Sequence, residues 1–102
     1  YVYSRSGHAA VDGINFTAIP PEKLLDQIWQ TGVQRVWLMG GGEIIREFLK
    51  KDLIDVFDIY YFPVLLGSGI PMFPPGFPRT ELALEKCTRT GEVFEVIYRR
   101  KR

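Results

Sequence analysis

Apolar residues recur along this chain first at strand spacing and then at helix spacing, and the rhythm changes at glycines and prolines. Val2 and Tyr3 end a β-prone run that stops at the polar turn Ser4-Arg5-Ser6-Gly7. Residues 14–19 alternate well enough for a short strand. Pro20, Pro21 and Glu22 then open a helix, because proline is tolerated in a first turn and an acid suits the positive end of the dipole. Leu24, Leu25, Ile28 and Trp29 give that helix one apolar face for packing on a sheet, and Gly32 is its expected stop.

Residues 35–39 read as the next strand, which runs through Gly40, Gly41 and Gly42 into a helix with the stripe Ile44, Ile45, Phe48 and Leu49. Lys50 and Lys51 suit its negative end. Residues 55–66 are β-prone and almost continuously apolar, which predicts a central or near-central strand covered on both faces. The Gly/Pro-rich segment 67–78 is too apolar for a linker and is expected to pack over the sheet. A hairpin closes the chain, with strands at 82–88 and 93–98 and a turn near Thr90 and Gly91. Two crossovers followed by a hairpin predict an α/β fold with a sheet of mixed direction.

Composition narrows the class without deciding the function. With 102 residues, 46% hydrophobic and 25% charged, the chain is an ordinary globular sequence of one-domain size. A net charge of +1 gives no reason to invoke nucleic acid, and the basic tail Arg99-Arg100-Lys101-Arg102 reads as a solvated strand end. One cysteine and one histidine form neither an intrachain disulfide nor a thiolate–imidazole metal site, which fits a reducing compartment. No run is apolar and long enough for a bilayer span, and the first residues lack signal-peptide character, so no membrane partner and a cytoplasmic location are expected. The chain starts without Met in a β-prone run, as a fragment of a longer protein would.

The chemistry is concentrated at the glycines. Glycine lets a ligand approach the main chain closely, and a helix start offers unpaired N–H groups and a positive dipole end, the setting for a phosphate. The run lacks the G-x-G-x-x-G fingerprint, and a tight turn with close packing is the alternative. Asp52, Asp55 and Asp58 straddle a helix-to-strand turn and read as solvated charges, which leaves no convincing general acid or base.

Taken in order, residues 38–49, Leu53-Ile54-Asp55, residues 62–73 and the closing hairpin resemble the dihydrofolate reductase superfamily. The nearest branch is the C-terminal reductase domain of riboflavin biosynthesis with its stand-alone bacterial relatives. The resemblance implies a dihydrofolate-reductase-like mixed sheet flanked by helices, with residues 1–102 forming the C-terminal portion of one such domain. It implies NADPH as cofactor, a cis peptide between Gly40 and Gly41, and cofactor phosphates against the N–H groups of Gly41, Gly42, Glu43 and Ile44. The Glu43 carboxylate must then point away, or serve only as a first-turn acid. Ser4, Arg5 and Ser6 match the position that grips the 2′-phosphate. Met39 matches a position lining the substrate pocket, with core filling as its alternative.

Phe62 stands where folate reductases usually carry a threonine, and a phenyl ring cannot make that hydrogen bond. The implied activity is therefore hydride transfer from NADPH to a small heterocyclic substrate of the riboflavin-pathway pyrimidine type. The alternative is a non-catalytic NADPH-binding or structural module. In the family, a strand preceding the position of Tyr1 lies between the strand ending at Met39 and the one containing Ile59. Its absence predicts two unpartnered strand edges, to be filled by a second copy in a homodimer or by the missing N-terminal segment.

Overall fold

In the computed structural model, which describes residues 1–4 and 11–102, β1 (Val2–Tyr3) and β2 (Phe16–Thr17) pair in parallel, with Val2 opposite Phe16. Arg5 and Ser6 lie outside the described residues. The chain divides into two units, Tyr1–Val36 and Trp37–Arg102. In the first, α1 (Pro21–Gln30) begins where Pro20 is extended and Pro21 takes the first turn, a position whose N–H needs no partner. Leu24 and Ile28, one turn apart, are its buried face. The helix ends where the Thr31 hydroxyl donates to the Ile28 carbonyl at 2.6 Å and Gly32 turns to φ +89°.

The second unit contains α2 (Gly42–Lys50) and an antiparallel sheet of β3 (Val56–Tyr61), β4 (Leu82–Thr90) and β5 (Val93–Arg100) in the order β3-β5-β4. Phe48 and Leu49 of α2, Phe57 of β3 and Val96 of β5 are buried. The register places Ile59 opposite Val96 and Phe57 opposite Tyr98, while a bulge at Glu85 shifts the pairing of β4. Gly91, at φ +62°, turns the hairpin. The segment 67–78 packs as expected: the rings of Phe73 and Phe57 lie 6.2 Å apart. Phe73 and Phe77 join Leu49, Phe57, Ile59, Thr80 and Leu82 around an apolar cavity of about 190 Å³.

The end of α2 is a Schellman turn: the Leu53 N–H donates to the Phe48 carbonyl and that of Asp52 to the Leu49 carbonyl, each at 3.1 Å. Asp52 takes the left-handed position at φ +57°, where glycine is usual. Arg100 accounts for the acid there. Its guanidinium is buried, donates to the Asp52 main-chain oxygen, and pairs with the carboxylates of Asp52 at 2.7 Å and Asp55 at 3.0 Å.

Several expectations need correction. The strand expected at 14–19 forms a ladder only over Phe16–Thr17, and the one at 35–39 is in no ladder among the described residues. The run at 55–66 pairs only as far as Tyr61 and is an edge strand rather than a central one; β5 is central. β3 is not covered on both faces, since only Phe57 is buried and Val56, Tyr60 and Tyr61 are exposed. The basic tail is not uniformly solvated, because Arg100 is buried and paired. Asp52 and Asp55 are exposed, yet both are ion-paired rather than free charges. The common cause for the strands is that a β-prone run becomes a strand only when a neighbour supplies hydrogen bonds.

Candidate cofactor-binding site

The three glycines at the start of α2 stand in three different surroundings. Gly40 has φ +96°, which an L-residue rarely adopts, and a Cβ there would lie 3.2 Å from the Ile45 side chain. Gly41 has an ordinary φ of −74°, and none of the described residues lies within 4 Å of where its Cβ would stand. Gly42 is pressed against the loop: a Cβ would come within 2.8 Å of the Pro71 carbonyl oxygen and 3.1 Å of the Pro74 ring. The peptide between Gly40 and Gly41 is cis. Among the described residues, Gly41 alone of the three therefore presents open main chain at the helix start, while Gly42 lacks a side chain because the loop occupies its space.

Among the described residues no side chain caps α2, and its first helical bond runs from the Ile45 N–H to the Gly41 carbonyl at 3.0 Å. The positive end of the helix is thus next to the open glycine. Glu43 is exposed in the first turn and Ile44 is half-buried. Met39 is 77% exposed, so it does not fill the core of this chain. Ser4 belongs to the other unit, where its N–H donates to the Thr17 carbonyl at 2.9 Å and fixes it at the end of β1.

Sequence reasoning did not single out Arg46. It lies one turn after Gly42, with its Nη1 donating to the Pro75 carbonyl at 3.4 Å and its stem beside Gly76, where a Cβ would stand 3.1 Å from the arginine Cδ. The i, i+4 spacing from Gly42 was the available signal. A second unanticipated cluster lies on the sheet, where Tyr60 and Glu95 face each other across β3 and β5 and the phenol donates to the Glu95 carboxylate at 2.8 Å. Asp58 is on the same face of β3. Partial desolvation, then hydrogen bonding and repulsion from Glu95, push the Asp58 carboxyl above its ordinary value. The hydrogen bond to Glu95 is the largest cause of a rise at the Tyr60 phenol. Among the described residues no group of three or more His, Cys, Asp or Glu is placed to hold a metal, and no helix is long and apolar enough to cross a membrane.

Comparison with known proteins gives this arrangement a family. Residues 4–96 match the RibD C-terminal domain. The chain belongs to the RibD C-terminal domain family. This RibD C-terminal domain is 40% identical over 63 residues to the Bacillus subtilis protein YwjB, a match covering 62% of the chain and 36% of YwjB. It is 33% identical over 78 residues to the 2,5-diamino-6-ribosylamino-4(3H)-pyrimidinone 5′-phosphate reductase of Archaeoglobus fulgidus, covering 74% of the chain and 36% of that enzyme. Among solved structures, a candidate riboflavin biosynthesis protein from Shewanella sp. PV-4 superposes with a TM-score of 0.87 at 26% identity, over 98% of this chain and 59% of its own. The chain thus spans about a third of the curated relatives it matches. The mixed α/β fold, with two helices and a three-stranded antiparallel sheet, is similar to that riboflavin-pathway structure.

Proposed function

We propose that this RibD C-terminal domain is the NADPH-holding part of a reductase that acts on a phosphorylated ribosylamino-pyrimidinone. The observation that carries the reading is Gly41. In a chain of this family, it leaves open main chain beside the positive end of α2, the chemistry a pyrophosphate needs. The N–H groups of Gly41, Gly42, Glu43 and Ile44 would hold the cofactor's phosphates, and Ser4, Arg5 and Ser6 its 2′-phosphate, by charge-assisted hydrogen bonds. NADPH, when bound, supplies the hydride; the chain's residues bind and orient it beside the substrate pocket at Met39. The substrate class follows the name of the Archaeoglobus relative.

The domain in this reading is of the dihydrofolate reductase type, cytoplasmic, and completed either by an N-terminal segment or by a second copy. The test is consumption of reduced nicotinamide by the longer protein in the presence of the pyrimidinone phosphate. Substrate-dependent NADPH oxidation supports the reading. NADPH binding without turnover on a panel of pyrimidine nucleotides supports instead a non-catalytic module. Absence of NADPH binding leaves a structural role.

A further inference from the structure

The segment 67–78 is fastened to α2 at two points one helical turn apart. At the first, Gly42 lies flush against the loop, with the carbonyl oxygens of Pro71 and Met72 at 2.8 and 3.4 Å from where a Cβ would stand. At the second, the Arg46 stem rests on Gly76 and its guanidinium donates to the Pro75 carbonyl. Gly76 is at φ +118°, a conformation that brings the chain under the arginine and that a side chain would strain. Positions 42 and 46 share a helix face, so the two contacts hold opposite ends of one short loop stretch.

That fastening has an electrostatic consequence at the glycine turn. Carbonyl oxygens are the negative ends of their dipoles and repel a phosphate, whereas the N–H groups at the start of α2 attract one. With Pro71 and Met72 held at Gly42, that side of the turn disfavours an anion and the open side at Gly41 is left to receive it. We propose that Arg46 is a positioning residue that holds the loop's carbonyls against Gly42, and so confines an incoming phosphate to the Gly41 face. The inference rests on the reading that NADPH binds at this turn.

The experiment is NADPH titration of the longer protein, unvaried and carrying Arg46→Ala, Arg46→Lys, Gly76→Ala or Arg46→Ala with Gly76→Ala. Hydrogen exchange at Met72, Phe73 and Gly76 is followed in parallel. Arg46→Ala is expected to weaken NADPH binding by about three- to tenfold, the scale of one lost hydrogen bond with its packing, and to speed exchange in the loop. Arg46→Lys keeps the stem and a donor and should restore most of the affinity. Gly76→Ala should reproduce the loss, and the double variant should bind no worse than the weaker single one, because both changes cut the same contact. Exchange accelerated with NADPH affinity unchanged, or losses that add, would overturn the proposal. If Arg46→Ala does not fold, Gly76→Ala decides: weaker binding supports the proposal and unchanged affinity overturns it. Failure of the unvaried protein to bind NADPH removes the functional reading and this inference together, which separates it from failure of the variants alone.

Discussion

Arg100, at the end of β5, reaches back to Asp52, at the close of α2, with its Nη1 2.7 Å from the carboxylate Oδ1. Asp52 occupies the left-handed position of a helix-terminating turn, and its side chain gives that position a use glycine could not supply. Because Arg100 also holds Asp55 at 3.0 Å, it ties the link between α2 and β3 to the end of the central strand β5. Arg100→Ala is expected to lower stability by about 1–3 kcal/mol, at the lower end because both carboxylates are largely solvated. Arg100→Lys should recover only part of this, since one ammonium cannot match the two-pronged contact. The midpoint of urea unfolding checks both.

The glycines should separate by stability and binding. Gly42→Ala places a methyl 2.8 Å from the Pro71 carbonyl oxygen and is expected to destabilise by about 1–3 kcal/mol, the usual range for overpacking. Gly41→Ala meets open space and should leave the thermal midpoint nearly unchanged while reducing NADPH affinity. A fall in stability at Gly41 as large as that at Gly42 would contradict the assignment of separate roles.

The Asp58 carboxyl should titrate above the ordinary 3.8, and Glu95→Gln should bring it back toward that value. A group whose folded value is raised binds more protons in the folded state than in the unfolded one between the two values. Its favourable contribution is therefore complete below the unfolded value and is lost as pH rises through the folded one. Carboxyl carbon chemical shifts followed through acid pH, in the unvaried protein and in Glu95→Gln, measure the shift.

Much of the second unit was legible because its signals are local. The stripe Ile44, Ile45, Phe48 and Leu49 and the turn at Gly91 each report on their own neighbourhood, and α2 and the hairpin follow from them. The glycine turn was legible as a place but not as three separate roles, since those depend on Pro71, Pro74 and Ile45 arriving from elsewhere. Strand partnership was illegible for the same reason. Residues 35–39 have strand composition and no ladder among the described residues, and Trp37 is 81% exposed. A run of four basic residues suggests solvent, whereas the burial of Arg100 is decided by Asp52 and Asp55, 48 and 45 residues away.

Among the described residues β3 is paired on one side only, by β5, and an unpaired edge is a template for another strand. The 102-residue chain is expected to associate through that edge. Sedimentation of the isolated chain as a well-folded monomer that also turns over a reductase substrate would contradict this.

The most direct test of the account is a comparison of NADPH and NADH binding by the longer protein, with and without Arg5→Ala. The account predicts tighter binding of NADPH, a loss of about 1–3 kcal/mol for NADPH in the variant, as for a charge-assisted contact, and little change for NADH. Equal affinities for the two cofactors that Arg5→Ala leaves untouched, or binding of neither, would contradict it.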